Sequence, residues 1–459
     1  VYSNVHLGNV RTFMSFDFIY RSLKFLGYKV RYVRNITDAG HLTDDGDVNN
    51  DRFVKQSRLE KLEPMEIVQK YTVDFHKVLE LFNLLPPTIE PTATGHILEQ
   101  IQLTEKLLKD GFAYESNGSV YFDVIEYNKR GLNYGELSRR NIEELFANTR
   151  DLDGQGEKRN PQDFALWKKA SPAHIMRWAS PWGDGFPGWH LECSAMSGKY
   201  LGDTFDIHGG GIDLRFPHHE NEQAQSHGAG WEFARLWVHN AWVTTKGEKM
   251  SKSLGNVLSI GTLTEEYPAV AVRWALSTVH HRSAIEWGPE TLPAAHAAWE
   301  KFSTFVARAI EAAGEAPASE IALSPADLPE AFVAAMDDDL NVAGALAVLH
   351  EHLKAGNAAL AAGDVSGVYR EQVLVRSMLD VLGLDPASEQ WRGQAGIGAG
   401  ASGAAAAEHS ALDALVQAVL SERAAARAAK DWARADELRD RLAGVTVADG
   451  RDGATWSVG

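Results

Sequence analysis

The sequence predicts an α/β protein in which a doubly wound parallel sheet precedes an α-helical bundle and a small C-terminal module. The first observation is an amphipathic helix over residues 9–27, where large apolar side chains recur at spacings of three and four and Gly27 suits the C-terminal cap. The second is a strand directly after it, because Val30, Tyr32 and Ile36 alternate with polar residues. A helix between strands is the pattern of a parallel βαβ unit. The apolar helix positions are Phe13, Phe16, Tyr20, Leu23 and Leu26.

The next part of the chain predicts further helices and a hairpin. Helical patterns span residues 64–85 and 94–108. Residues 112–124 indicate a β-hairpin with Asn117-Gly118 as its turn, since this dipeptide suits a tight two-residue connection. A stretch rich in charge and glycine continues to about residue 188, as expected for an insertion into a sheet domain.

The C-terminal part predicts helices, a linker and a last small unit. From about residue 293 the chain is alanine-rich, with helical periods that continue across 328–353 and 366–383. Residues 386–408 are of low complexity and predict a flexible linker. The unit over 409–459 is small and tethered, which favours recognition over catalysis. The first helical stripe consists of Trp299, Phe302, Val306 and Ile310.

The composition restricts the class of protein. With 459 residues, 44% of them hydrophobic and 23% charged, the chain is an ordinary globular protein long enough for several domains. Its net charge of -17 argues against a protein that coats nucleic acid indiscriminately, although a local basic groove is compatible with it. The single cysteine excludes an internal disulfide and suits the reducing cytosol. No apolar run approaches the roughly 18 residues that a membrane helix needs, so we expect no membrane association.

Cys193, His218 and Glu222 form a candidate metal site. They supply a thiolate, an imidazole and a carboxylate, the three kinds of ligand that zinc accepts. If residues 218–222 are helical, the spacing of four puts His218 and Glu222 on one face, where they could share an ion with the cysteine. Each residue also has an ordinary explanation, because a lone cysteine is usually a small buried hydrophobe and a His-Glu pair a helix-surface contact. The metalloprotease pattern is excluded, since the second histidine of H-E-x-x-H is missing.

Two further stretches suit a phosphate group. His6-Leu7-Gly8-Asn9 stands immediately before the first helix, where free N–H groups and the helix dipole favour an anion. Lys249 and Lys252 lie in a polar basic loop and could close over the same anion. Alone, such a histidine is more often structural and such a loop is usually only solvated. The pair is a stronger indication than either member.

Together these stretches resemble the two signatures of class I aminoacyl-tRNA synthetases. The first is H-I-G-H, which stands here as His6-Leu7-Gly8-Asn9, and the second is K-M-S-K-S, which is intact in residues 249–253. The remaining motifs resemble the cysteinyl-tRNA synthetase family and span nearly the full chain. They are Val1-Tyr2, Tyr32–Asp38, Gly188–Met196, Asp206–Glu222, Met336–Asn341, Arg434–Asp436 and Gly453–Ser457.

The resemblance implies a two-step reaction. L-Cysteine and Mg-ATP form cysteinyl-adenylate, and the 3′-terminal adenosine of tRNA-Cys then accepts the aminoacyl group. It also implies one zinc ion bound by Cys193, His218 and Glu222. The fourth protein ligand of the family is a cysteine in a C-G-x-T segment that would precede Val1. We therefore expect this form of the chain to lack its N-terminal segment, to bind zinc weakly and to activate cysteine poorly.

The zinc would explain how the family rejects serine, which differs from cysteine only by oxygen for sulfur. A soft thiolate is a far better zinc ligand than a neutral hydroxyl, so discrimination needs no editing site. The resemblance implies that Trp189 and His208 line the pocket for substrate cysteine.

The resemblance also assigns residues to ATP, with His6, Asn9, Lys249 and Lys252 as the catalytic group that handles the phosphates. Asn9 departs from the family pattern because it replaces the last histidine of the signature, and its amide carries no charge. The full ATP-binding set is His6, Gly8, Asn9, Gly209, Gly210, Gly211, Asp213, Lys249 and Lys252.

The residue patterns and the resemblance together imply seven segments, with a Rossmann-type catalytic core split by an insertion. They are the first half of the core (1–95), an inserted connective domain (96–187), the second half with the zinc site (188–240), the lysine loop and stem-contact region (241–298), the helical bundle (299–385), the flexible linker (386–408) and an anticodon-binding module (409–459). We expect a cytoplasmic monomer.

Two other functions suit parts of the same pattern. An amide-forming cysteine ligase on the same core would also activate cysteine with ATP, but it should lack the anticodon-reading end. A non-catalytic tRNA-binding relative is disfavoured by the intact lysine loop and the retained metal residues. Cysteine-dependent charging of tRNA separates the first from a synthetase, and cysteine-dependent ATP–pyrophosphate exchange separates the second.

Overall fold

The computed structural model describes residues 3–39, 63–140, 155–172, 174–249 and 258–398. Beyond these it describes 416, 419, 422–423, 426–427, 431–440, 445–450 and 453–458. The chain divides into two compact units, residues 1–395 and 396–459, which are treated separately below.

Helix α1 (Leu7–Phe25) confirms the first predicted helix. Gly27 has φ +83°, and the N–H groups of Gly27 and Tyr28 bond back to the last turn, so the predicted glycine cap is also confirmed. The predicted apolar stripe is not the most buried face, however. Val10 and Met14 are fully buried, whereas Leu26 is 42% exposed.

The buried face of α1 differs from the prediction because it carries charge. Arg11 and Asp17 point into the protein and are each 2% exposed. The predicted stripe covers a second contact surface, on which Phe13 packs edge-on against Phe75 with ring centroids 5.1 Å apart. A pattern that scores only apolar residues cannot rank a face stabilised by buried ion pairs.

The predicted strand after α1 is extended and pairs in parallel. Isolated bridges join Val33 to Ile89 and Ile36 to Thr92, and the Ile36 N–H donates to the Pro91 carbonyl at 2.8 Å. Between the two extended segments lies helix α2 (Pro64–Leu81), which begins with proline in its first turn. A parallel β-α-β connection is therefore present around α2, with pairing limited to short bridges. The unit predicted with α1 as its helix stays a prediction, because no strand precedes α1 among the described residues.

A four-stranded antiparallel sheet follows, and its first hairpin is the predicted one. Asn117 and Gly118 form the turn with φ of 52° and 80°, which a two-residue hairpin requires. The strand order is β1-β2-β3-β4, with one face packed on an apolar cluster that includes Phe122, Trp167 and Leu191. The elements are α3 (Ile97–Lys109), β1 (Ala113–Ser116), β2 (Ser119–Phe122), α4 (Val124–Lys129), β3 (Phe164–Lys169) and β4 (Gly185–Pro187).

The chain then returns to parallel pairing. Strands β5 and β6 lie side by side in parallel, with helix α6 in the connection between them. Past β6, a small three-stranded sheet has the order β8-β7-β9. The elements are α5 (Trp189–Leu201), β5 (Thr204–Gly211), α6 (Glu220–Gly228), β6 (Phe233–Asn240), β7 (Val243–Thr245), β8 (Glu248–Lys249), α7 (Ile260–Glu266), α8 (Ala269–Ser277) and β9 (Ile285–Glu286).

The rest of the first unit is helical, as predicted. Trp299, Phe302 and Val306 of the predicted stripe are each at most 1% exposed. Asn341 and Asp364 accept hydrogen bonds from backbone N–H groups three residues on, and so cap the helices that follow them. The helices are α9 (Thr291–Ala313), α10 (Ala318–Ile321), α11 (Glu330–Asp337), α12 (Val342–Ala362) and α13 (Val365–Val381).

The predicted linker over 386–408 is wrong for residues 386–395. Trp391 is fully buried, and its indole N–H donates to the Gly383 carbonyl at 2.8 Å. Asp385, just before this segment, is paired with the buried Arg376 at 3.2 Å. The low-complexity composition begins only after this packed stretch, whose tryptophan supplies the apolar area that a linker lacks. Residues 399–408 lie outside the described residues.

The second unit contains helix α14 (Trp432–Asp440) and an antiparallel hairpin of β10 (Val445–Gly450) and β11 (Gly453–Val458). The two strands of this hairpin pair in full register from Val445↔Val458 to Gly450↔Gly453. Within the described part of the chain, no helix is both long and apolar enough to span a membrane.

We predict that Trp391→Ala lowers the free energy of unfolding of the first unit by about 3–5 kcal/mol, because it removes a fully buried indole. Denaturant unfolding followed by far-UV circular dichroism measures the change. Trp432→Ala is the matched control, since Trp432 is 61% exposed. Equal stability of the Trp391→Ala variant and the wild type would restore the linker interpretation.

Candidate active site

Cys193, His218 and Glu222 come together as predicted. Cys193 lies on α5, His218 in a π-helical turn over Arg215–His219, and Glu222 on α6. One ligand atom from each residue lies within 4.8 Å of the other two. The predicted shared face of His218 and Glu222 is confirmed, since His218 Nε2 is 2.9 Å from Glu222 Oε1.

Glu222 is fully buried and is oriented by two imidazoles. His208 Nε2 lies 2.9 Å from Oε2, within hydrogen-bond distance. Oε1 is close to His218 but has no hydrogen-bond geometry with any described residue. Burial would raise the pKa of Glu222, yet the charges of His208 and His218 hold that pKa well below its ordinary value. The site therefore keeps an ionised carboxylate with one oxygen directed at the cluster.

His218 is fixed by the residues around its ring. Its Nδ1 lies 2.9 Å from His190 Nδ1, so Nε2 is the nitrogen directed toward Glu222. The ring centroids of Trp189 and His218 are 4.2 Å apart. A histidine held at its second nitrogen in this way is the usual arrangement of a metal ligand.

Cys193 is half-buried and accepts a hydrogen bond from Asn35 Nδ2 at 3.5 Å. Desolvation raises the pKa of its thiol well above the ordinary value, and the carboxylates of Glu222 and Glu192 raise it further. A cation at this point would reverse both effects, because it stabilises a thiolate directly. The donor set of sulfur, nitrogen and carboxylate oxygen fits zinc.

Two other groups of metal-binding side chains lie close together among the described residues. His208 and His219 form one with Glu222, but that group lacks sulfur and shares its carboxylate with the first. The second group is His280, His281 and Asp339. There the guanidinium of Arg282 contacts Asp339, so a further cation would meet repulsion. The group with Cys193 is the strongest of the three.

His6 and Asn9 stand at the N-terminus of α1, as predicted. His6 is the N-cap residue, and its backbone N–H donates to Asn9 Oδ1 at 3.2 Å. A Cβ added at Gly8 would lie 3.1 Å from His6 Cε1, so glycine lets the imidazole lie against the first turn. His6 and Asn9 therefore lie at the N-terminus of a 19-residue helix, whose dipole favours an anion.

The structure describes the chain up to Lys249, before the lysine loop, and again from Leu258, after it. Lys249 ends strand β8, and its side chain lies outside the described part, as do all atoms of Lys252. After the loop, Ser259 forms a β-bridge with His6, and the Leu7 N–H donates to the Leu258 carbonyl at 3.4 Å. Residues 258 and 259, which follow the K-M-S-K-S signature, therefore lie directly beside His6 and Leu7 of the other signature.

Gly209, Gly210 and Gly211 form the carboxyl end of β5, next to α1. A Cβ at Gly209 would lie 1.8 Å from the Val238 carbonyl oxygen of β6 and 3.0 Å from Phe16 of α1. Asp213 follows in a short 3₁₀ turn. In α/β sheets, ligands bind at the carboxyl ends of parallel strands, which is the position of this segment.

Four residues of the site were not predicted from the sequence. His190 and Asn35 lie in the family motifs, but nothing in their spacing indicated contact with His218 or Cys193. His219 and His239 pair at 2.8 Å beside them, and burial lowers the pKa of His239 to about 4. These contacts join segments up to 158 positions apart, so no local pattern could reveal them.

The chain matches three family models. "tRNA synthetases class I (C) catalytic domain" matches residues 1–297, "DALR domain" matches 331–385, and "Cysteinyl-tRNA ligase anticodon binding domain" matches 409–456. Apart from the linker, the sequence-based segment boundaries stay predictions.

Similar proteins carry one name. The chain is 47% identical to "Cysteine--tRNA ligase" of Beutenbergia cavernae, with 99% of this chain and 92% of that protein covered. It is 45% identical to the protein of that name from Bacteroides thetaiotaomicron, with the same coverage of 99% and 92%.

Two solved structures share the fold at low sequence identity. A Mycobacterium tuberculosis methionyl-tRNA synthetase bound by methionyl-adenylate superposes with a TM-score of 0.56 at 14% identity, covering 83% of this chain and 88% of that one. LeuRS of Agrobacterium radiobacter K84 superposes with a TM-score of 0.59 at 11% identity, covering 85% and 83%. The predicted fold class, a Rossmann-type core followed by helical domains, is confirmed. The family models and the relatives show that the chain belongs to the cysteine–tRNA ligase family of class I aminoacyl-tRNA synthetases.

Proposed function

We propose that the chain performs the reaction of its family and recognises its amino acid through zinc. L-Cysteine and Mg-ATP would give cysteinyl-adenylate and pyrophosphate, and the 3′ end of tRNA-Cys would then take the cysteinyl group and release AMP. The observation that carries the proposal is the meeting of Cys193, His218 and Glu222 beside Trp189, close to the sheet edge where ligands bind.

Cys193, His218 and Glu222 would hold the metal. When bound, zinc supplies a preference for a soft thiolate over a neutral hydroxyl. His208 holds one Glu222 oxygen, and His190 holds the far nitrogen of His218, so both ligands keep their direction without the substrate. This fixed arrangement limits the loss of side-chain freedom when cysteine binds.

Trp189 and His208 are proposed to border the substrate cysteine. The Trp189 ring packs against His218, which supports its place next to the metal ligands. The ring of His208 packs against Trp237 with centroids 5.0 Å apart. An aromatic wall beside the ligands would exclude water and leave room for a small side chain.

The ATP phosphates are proposed to bind at the N-terminus of α1. The side-chain oxygen of Asn9 already accepts a hydrogen bond from the backbone N–H of His6. The side-chain NH₂ group of Asn9 is therefore the part that would donate to a phosphate. This use of the amide explains how asparagine can replace the last histidine of the signature. The remaining proposed contacts come from the first turn of α1, from the glycine-rich end of β5 with the turn that follows it, and from the loop. These residues are Gly8, Gly209, Gly210, Gly211, Asp213, Lys249 and Lys252.

The match of an anticodon-binding model to residues 409–456 favours tRNA as acceptor over the amine of an amide-forming ligase. We further propose that the enzyme acts as a monomer in the cytoplasm, where its single cysteine stays reduced. Light scattering of the purified protein tests the monomeric state.

We predict that Cys193→Ser in the full-length protein removes zinc and cysteine activation together. Loss of a ligand should cost more than the roughly 10- to 100-fold that follows when only a partner of a ligand is removed. Metal analysis and cysteine-dependent ATP–pyrophosphate exchange measure the two effects. His296→Gln, on α9, is the control and should keep both. A Cys193→Ser variant that retains one tightly held zinc would contradict the proposed ligand set.

We predict that Lys252→Ala keeps zinc but lowers the rate of adenylate formation by roughly 10²–10³-fold, because it removes a cation from the phosphoryl transition state. The same two assays apply, with kcat and the KM for ATP determined separately. Equal zinc loss in the Lys252→Ala and Cys193→Ser variants would refute the division between thiol recognition and phosphate chemistry.

A further inference from the structure

The segment 280–287 lies along the base of the lysine loop. The Ala241 N–H donates to the His281 carbonyl at 2.8 Å, and the Ile285 N–H donates to the Trp242 carbonyl at 3.0 Å. Strand β9 then pairs in parallel with β7, whose other neighbour is β8. Segment 280–287 therefore supports the hairpin whose last residue, Lys249, opens the second signature.

Glu286 of this segment bonds the turn of that hairpin. Its carboxylate accepts the Thr244 hydroxyl at 2.6 Å, and both of its oxygens lie 3.2 Å from the backbone nitrogen of Gly247, which donates to them. The turn residues Lys246 and Gly247 have φ of 54° and 76°, as a two-residue hairpin needs. These bonds, with that of Thr244 the strongest, lower the pKa of Glu286 below its ordinary value, so its carboxylate is ionised at neutral pH.

The other end of segment 280–287 is held by the turn between α11 and α12. Asp339 contacts the Arg282 guanidinium, and its backbone carbonyl lies 3.0 Å from His280 Nε2. Asp339 and Leu340 have φ of 54° and 56°, which is uncommon for residues other than glycine. Because this turn fixes one end of segment 280–287, the other end, which carries Glu286, also has a defined position.

We propose that Glu286 is a positioning residue for the lysine loop. By bonding the Lys246-Gly247 turn to β9, it sets the direction in which the chain leaves β8 at Lys249. On the other side of the loop, Ser259 is bridged to His6, so the described residues before and after the loop are held by β9 and by the N-terminus of α1. The inference rests on the proposed function, because it assigns Glu286 to the ATP step of that reaction and gives it no contact with substrate.

The test compares Glu286→Ala, Glu286→Gln and the control Glu311→Ala, an exposed carboxylate on α9. For Glu286→Ala we expect kcat of cysteine-dependent ATP–pyrophosphate exchange to fall about tenfold, since small displacements of positioned groups are costly. The KM for cysteine, zinc content and thermal midpoint should not change. Glu286→Gln keeps one carbonyl acceptor and should recover part of the rate.

Hydrogen exchange of the amides at 245–249 supplies a readout that does not depend on activity. It should be faster in Glu286→Ala and unchanged in the control. A Glu286→Ala variant with wild-type kcat, or one that loses zinc and thermal stability along with its rate, would overturn the positioning role. All variants are made in the full-length protein. A full-length wild-type protein without cysteine-dependent exchange would instead contradict the proposed function, so the two failures are distinguishable.

Discussion

The placement of helix α1 is the constraint on which the site depends, and buried charge fixes it. Arg273 is fully buried and pairs with Asp17 at 2.6 Å. Arg11, almost as deeply buried, donates to three main-chain carbonyls where α8 ends. Buried guanidinium groups are tolerated only with such partners, so a shifted α1 would leave charges unpaired. The N-terminus of α1, with His6, is thereby held at one position relative to the parallel strands.

The cluster of Cys193, His218 and Glu222 also depends on a buried charge that needs partners. The Glu222 carboxylate would be unfavourable in the interior without His208 and His218, and these imidazoles give it one direction. The cluster then offers a nitrogen, an oxygen and a sulfur to one point. In the proposed function, thiol recognition is assigned to this cluster and ATP chemistry to the N-terminus of α1 and the lysine loop, so the two tasks fall to separate groups.

Several structural features could be predicted because their causes are local. The Asn117-Gly118 turn, the glycine cap of α1 and the spacing of His218 and Glu222 each depend on a few consecutive residues. The buried face of α1 was predicted wrongly because Arg11 and Asp17 are stabilised by partners more than 60 positions away. The linker was assigned too early in the chain because composition does not reveal that Trp391 finds a buried position.

The sequence by itself determined the family, and it predicted the three candidate metal ligands and the two signatures proposed to bind phosphate, since these reside in residue types and short spacings. Only the tertiary structure decided that Asn35 contacts Cys193, that His190 holds His218, and that Glu286 bonds the turn before the lysine loop. The reason is physical. These contacts are hydrogen bonds between segments distant in the chain, and their partners become neighbours only when the apolar core and the buried ion pairs fix the elements that carry them.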